Sequence, residues 1–329
     1  MITVVNNLND LPNSCLLAVG KFESLHLGHQ ALLKNLEIVA KKEDLPIAIM
    51  SFDPHPYIAL SDTNYKPMFM LDEWIHLYNY QLGLLEMFLL QQKFDVEFAT
   101  LSPEIFCEKL FQKAKIIAVG ENFRFGHKRE GTVKLLCELA THYNCKVIVT
   151  NNLHFSAIEN NLEIISTSHI RKLLIAGQMQ EAKQLLGFPF FALGTIIKGK
   201  QIGRTIGFPT ANIYPCEKKF LPQDGVYSTN ITIYKETEKP ISYLGITNIG
   251  TRPTVCESKV RSVETHILEF KQGQAIYQNE LYGQIAKVEF IRFIRPERRF
   301  ESLIELKEQI TKDIQTVKKC GCVYENWSE

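Results

Sequence analysis

The chain has 329 residues, 45% of them apolar, enough for two domains that each bury a core. A net charge of +1, with no long Lys/Arg run, argues against a nucleic-acid protein. Eight cysteines, at 15, 107, 137, 145, 216, 256, 320 and 322, show neither the paired spacing of a zinc site nor a small disulfide framework, and read as cytosolic thiols.

The opening MITVVNNLNDLPNS lacks the basic start and apolar core of a secretory signal, so the protein is expected in the cytoplasm. Cys15 to Val19 predicts a buried strand that runs into GKFESLHLGH (Gly20 to His29) and an amphipathic helix from about Gln30 to Lys41. His26 and His29 thus stand at a helix start, where ring donors and free backbone N–H groups can surround an incoming anion. Helix-start histidines without a ligand and a metal-binding pair are the rival assignments, and no third metal ligand stands at a recognisable spacing.

A strand near Pro46 leads into SFDPHP (Ser51 to Pro56), which by itself reads as a turn, and a helix is expected near Trp74. The most apolar window, Gln81 to Leu90, is too short to cross a bilayer and is assigned to a buried helix. Ser102 is a good N-cap for a helix beginning at Pro103. A strand at Ile116 to Val119 precedes GENFRFGHKREG (Gly120 to Gly131), with a helix near Val133 and a strand near Cys145 after it. Such alternation calls for a parallel sheet covered on both faces. Residues 151 to 164 read as a polar connection to ISTSHIR (Ile165 to Arg171), which opens a helix. A second helix, GQMQEAKQLL, ends at Gly187, a C-cap and interdomain joint.

Beyond Gly187 the period changes to two, with strands expected at Ala192 to Lys198, Val226 to Tyr234, Ile241 to Ile246, Val263 to Phe270 and Ile285 to Phe293. That pattern gives a small antiparallel barrel, against which a helix from Leu303 to Val317 should pack. Between its first two strands lies GKQIGRTIGFPTAN (Gly199 to Asn212). Glycines let backbone N–H groups approach phosphate oxygens, and Lys200 and Arg204 can supply compensating charge. Pro209 stiffens the entry to Thr210. Residues two apart on an extended segment share a face, so the oxygens of Thr210 and Asn212 can converge on one magnesium ion. Gly194 to Lys200 spells G-x-x-x-x-G-K, but Gln201 stands where a nucleotide P-loop needs Ser or Thr, and no helix should begin there. In VETHILEF (Val263 to Phe270) alternation places Glu264 and His266 on one face. A kinase acting on an alcohol needs a carboxylate within hydrogen-bond reach of the hydroxyl, which makes Glu264 a candidate base.

With these motifs in order, the C-terminal half resembles riboflavin kinase, through G-x-x-x-G-F-P-T-A-N (Gly203 to Asn212), GVY (Gly225 to Tyr227), NIGTRPT (Asn248 to Thr254), VETH and LYG (Leu281 to Gly283). The resemblance covers about residues 187 to 318. It implies that Thr210 and Asn212 serve the metal and nucleotide, and that Glu264 acts as base toward the ribityl 5′-hydroxyl. It also implies that Gly199, Gly203 and Pro209 line the ATP phosphates and that Asn248 and Arg252 face the flavin.

The N-terminal half resembles the FMN adenylyltransferase module of bacterial bifunctional FAD synthetases through GKFESLHLGH, SFDPHP, GENFRFGHKREG and ISTSHIR. This resemblance implies that His26 and His29 stabilise charge on the α-phosphate as pyrophosphate leaves. Gly20, Phe22, Gly28, Ser166 and Arg171 would then bind ATP, and Asn122, Phe123, Arg124 and Phe125 the flavin. The family's G-x-F-D-G-x-H departs here at Glu23 and Ser24, its D-F-R-F-G at Asn122, and its S-S-T-R-I-R at His169.

Together the two resemblances imply an α/β plus β protein. Residues 1–186 form a Rossmann-like nucleotidyltransferase domain with a parallel sheet, residues 187–318 a small antiparallel β-barrel kinase domain with a terminal helix, and residues 319–329 a tail. The expected activity is phosphorylation of riboflavin to FMN with ATP and Mg2+, then adenylylation of FMN to FAD. Partners would be small molecules, with neither nucleic acid nor membrane among them. Two rival readings are a riboflavin kinase carrying a catalytically silent flavin- or nucleotide-binding module, and a nucleotidyltransferase acting on another small phosphate or alcohol.

Overall fold

The computed structural model describes residues 2–60, 64–79, 86–150, 154–156, 162–199, 202–235, 238–253, 259–268 and 281–319. The chain divides into two compact units, Met1–Thr167 and Ser168–Glu329.

In the first unit the elements run β1 (Ile2–Val5), β2 (Cys15–Val19), α1 (Leu27–Glu43), β3 (Ile47–Asp53), α2 (Pro56–Leu60), α3 (Leu71–Leu77), β4 (Met87–Lys93), α4 (Val96–Ala99), α5 (Pro103–Phe111), β5 (Ala114–Gly120), β6 (Arg124–Phe125), β7 (Gly131–Thr132), α6 (Val133–His142), β8 (Lys146–Thr150), β9 (His154–Ser156) and β10 (Leu162–Ile164). Six strands form one sheet in the order β1-β4-β3-β2-β5-β8, every pair parallel. All five residues of β2 are buried, as a parallel strand covered on both faces requires. From β2 the chain steps outward to β3 and β4, then crosses to β5 and β8 on the other side. The order therefore reverses between β2 and β5, and the loops leaving their carboxyl ends flank the crevice where open α/β sheets take ligands.

The expected alternation is present, with differences among the described residues. Of the window Gln81 to Leu90 assigned above to a buried helix, residues 81–85 lie outside the described residues and Met87 to Leu90 begins β4; a short apolar run carries no periodicity that separates strand from helix, and the sheet supplies the partner. β1 adds an edge strand beside β4. The connection read as polar contains the antiparallel pair β9–β10. Helix α1 also starts before Gln30, which places Gly28 and His29 inside its first turn.

The second unit contains nearly all of α7 (Thr167–Ile175), then α8 (Met179–Leu186), β11 (Phe191–Thr195), α9 (Ile202–Thr205), β12 (Ala211–Ile213), β13 (Gly225–Tyr234), β14 (Ile241–Pro253), β15 (Lys259–Ile267), β16 (Ile285–Pro296) and α10 (Leu303–Lys319). Gly187 ends α8 in the left-handed region, φ 83°, with its N–H on the Lys183 carbonyl. The strands form an antiparallel sheet in the order β11-β16-β13-β14-β15-β12. Ile197 donates to the Asn212 carbonyl at 2.9 Å, which ties the chain after β11 to β12 and nearly closes the barrel. Inside it, Thr229, Thr247 and Thr265 are fully buried and share a hydroxyl ladder with spacings of 2.7 and 2.8 Å. Helix α10 docks by burying Val317 against Val226, Ile246 and Leu268, and by a two-pronged ion pair from Arg295 to Asp313.

Candidate active site

The first candidate centre is the loop between β2 and α1. Phe22 (φ 41°) and Leu25 (φ 46°) hold left-handed backbone that side chains rarely adopt. Between them, Glu23 and Ser24 are buried at positions where the family pattern has Asp and Gly. Ser24 stays out of the left-handed region, and its hydroxyl lies 2.8 Å from the hydroxyl of Thr167 in ISTSHIR. The extra Cβ therefore carries no backbone strain. The Glu23 carboxylate accepts from the Tyr65 hydroxyl at 2.5 Å and the Met68 N–H at 2.8 Å, and His55 Nε2 of the SFDPHP turn lies 3.4 Å away. Trp74 Nε1 donates to the Phe22 carbonyl at 3.0 Å.

His26 caps α1, accepting the His29 N–H on Nδ1 at 3.3 Å. The two imidazoles stack with centroids 3.8 Å apart and planes 11° from parallel, and the Phe22 ring lies 5.1 Å from His29. Burial holds His26 down at about 4, and burial followed by the neighbouring His26 keeps His29 well below the usual imidazole range. Both rings are therefore neutral near pH 7. Because Nδ1 of His26 accepts, its proton sits on Nε2, ready to donate to an anion at the helix start. Nδ1 of His29 is buried with no hydrogen-bond partner among the described residues.

After β5, Asn122 and Arg124 are exposed and Phe123 half-buried, while Phe125 is buried between Phe106 and Phe123. Phe125 thus belongs to the core of the unit, and Asn122, Phe123 and Arg124 carry the surface of the loop. Gly126 (φ 70°) is required there, since a Cβ would press on the Pro103 backbone. Ser166 precedes α7. Arg171 lies in the second unit, with its guanidinium 4.7 Å above the Phe220 ring, and His169 is half-buried.

The second candidate centre lies on the barrel. Glu264 of β15 pairs directly with Asn212 of β12 on one side and with Asn248 of β14 on the other. Directly opposed residues share a face, so the register puts these three in one row. The Thr210 hydroxyl donates to Asn212 Oδ1 at 3.2 Å, Ser262 donates to Glu264 Oε1 at 2.8 Å, and Asn248 donates to Glu297 Oε1 at 3.2 Å. Gly199 lies against the Asn212 amide, which a Cβ would overlap. Gly203 lies against the Phe208 carbonyl in the same way; it belongs to α9, a helical turn not expected in that loop. His266 Nδ1 is 2.8 Å from the Pro209 carbonyl and fixes the entry to Thr210. Arg204 is exposed, and Arg252 lies on β14, whose backbone alone is described there. Lys200, Gln201, Thr254 and Cys320 to Cys322 fall outside the described residues.

Paired neutral oxygens from Thr210 and Asn212, with Asn212 almost fully buried, suit a hard divalent cation that takes its other ligands from phosphate and water. Sequence patterns missed Tyr65, Tyr57 and Trp74. The His55 ring stacks on Tyr65 (4.5 Å) and Tyr57 (5.4 Å), which also touch each other (5.2 Å), and no motif marks residues so far along the chain from His26.

A family model described as FAD synthetase matches residues 8–167, and one described as riboflavin kinase matches residues 186–320. The bifunctional riboflavin kinase/FMN adenylyltransferase of Buchnera aphidicola subsp. Schizaphis graminum is 34% identical over 97% of this chain and 98% of its own length. Its counterpart from Escherichia coli (strain K12) is 35% identical over 97% of both chains. Among solved structures, one titled a macrolide-efflux protein from Streptococcus pneumoniae superposes with a TM-score of 0.76 at 27% identity, covering 99% of both chains. Among the described residues, no helix is long and apolar enough to cross a membrane. With two matched modules in series and relatives aligned over nearly its whole length, the chain belongs to the family of bifunctional riboflavin kinases/FMN adenylyltransferases.

Proposed function

We propose that the chain makes FAD in two steps, with residues 187–318 phosphorylating riboflavin and residues 1–186 adenylylating the FMN formed. In the first step the ribityl 5′-hydroxyl oxygen bonds to the γ-phosphorus of ATP and ADP leaves. Glu264 takes the hydroxyl proton, Asn248 and Arg252 face the flavin, and Gly199, Gly203 and Pro209 bring the phosphate loop close. Thr210 Oγ1 and Asn212 Oδ1 would hold Mg2+, which supplies charge neutralisation on the phosphate oxygens.

In the second step an FMN phosphate oxygen bonds to the α-phosphorus of ATP and pyrophosphate leaves. His26 and His29, neutral and stacked at the α1 N-terminus, donate to the α-phosphate as its charge grows. Gly20, Phe22, Gly28 and Ser166 attend the nucleotide, and Asn122, Phe123 and Arg124 the flavin, with Phe125 anchoring their loop in the core.

The observation that carries the two-activity reading over a silent first module is the His26–His29 pair, held on a loop whose two altered residues, Glu23 and Ser24, both have polar partners. Free thiols at Cys15, Cys107, Cys137, Cys145 and Cys216 support a reducing cytoplasmic location. Isotope tracing tests the chemistry: label from γ-labelled ATP should enter FMN, and label from α-labelled ATP should enter FAD. Failure of the α-label to reach flavin would leave a riboflavin kinase alone.

A further inference from the structure

The loop that presents His26 and His29 is strained at Phe22 and Leu25, and such backbone persists only where its surroundings over-determine it. The restraint comes from a segment that no motif includes. Tyr65 and the Met68 N–H hold the buried Glu23 carboxylate at 2.5 and 2.8 Å, and Trp74 holds the Phe22 carbonyl at 3.0 Å. Phe22 in turn packs its ring against His29. Glu23 and Tyr65 themselves bear on the loop, with His55 stacked on Tyr65 and 3.4 Å from the carboxylate.

We propose that Glu23 and Tyr65 form a positioning pair for adenylyl transfer, acting through His26 and His29 by fixing the backbone that carries them. The proposal rests on the reading of those histidines given above. Its geometric content is a matched length. The Tyr65 hydroxyl meets a glutamate, and an aspartate at position 23 would withdraw its oxygens by about 1.5 Å, one C–C bond. Glu23→Asp, which restores the family's residue type, should therefore weaken FAD formation in this chain.

The test uses the full chain and FMN with ATP as substrates. Tyr65→Phe removes one oxygen and keeps the ring on His55, and Glu23→Gln keeps size while removing charge. Each should lower kcat for FAD formation about tenfold or more with KM for ATP changed much less, because the interaction lost is one made to the transition state. Riboflavin phosphorylation by the same samples, a reaction of the second unit, should be unchanged, and a wild-type Kd for ATP in the absence of FMN reports that the first unit is folded. In a His29→Gln background, Tyr65→Phe should cost clearly less than it does alone, since only the part of its effect carried by His26 remains. FAD formation within twofold of wild type for both Tyr65→Phe and Glu23→Gln overturns the pair. So does a loss that adds in full to that of His29→Gln. If His29→Gln itself leaves FAD formation intact, the assignment of the histidines fails first and the positioning role falls with it.

Discussion

Substituting Gln for Glu264 keeps the register with Asn212 and Asn248 and an acceptor oxygen for Ser262, and removes only the capacity to take a proton. FMN formation should fall by about 10²-fold or more, the usual weight of a positioned base, with riboflavin affinity little changed; steady-state turnover beside equilibrium binding checks it. His26 makes a different claim, read in stability. Its folded value of about 4 lies below the ordinary 6.5, so as pH falls the unfolded chain takes up the proton first. The His26 contribution to stability is therefore fully present above about 6.5 and declines toward about 4, by about 3 kcal/mol. Urea midpoints across that window should show the slope, and His26→Gln should lessen it, His29 supplying the remainder. Thr210, Asn212, Glu264, His26 and His29 were legible because each lies in a local pattern whose spacing sets a face or a helix start. The partners of Glu23 and Phe22 were not, since Tyr65, Met68 and Trp74 reach them only through tertiary folding.

Helix α10 is an element whose docking depends on one buried group. Asp313 is 3% exposed, pairs with Arg295 through both oxygens and also accepts from Gln309. Asp313→Ala leaves Arg295 half-buried without its carboxylate and should destabilise the second unit by about 3–5 kcal/mol, seen as a lower urea midpoint for riboflavin kinase activity. A midpoint equal to wild type would mean that the apolar seat of Val317 suffices to hold the helix. The helix itself was legible from its period, as were the strands with long alternating runs. β1, β4, β6, β7, β9, β10 and β12 were not read as strands, because short segments take their state from the neighbours they pair with. Chain order gave no hint that β1 would pair with β4 or that Ile197 would bridge to Asn212.

At the scale of the whole molecule, the product of one centre is the substrate of the other, and the two centres should fail independently. The most direct measurement is a chromatographic time course with ATP and magnesium, begun once from riboflavin and once from FMN, for the wild type, Glu264→Gln and His29→Gln. Wild type should yield FAD from both starting points, Glu264→Gln should yield FAD only from FMN, and His29→Gln should accumulate FMN from riboflavin. Wild-type protein that converts riboflavin to FMN but never FMN to FAD would contradict the two-step function.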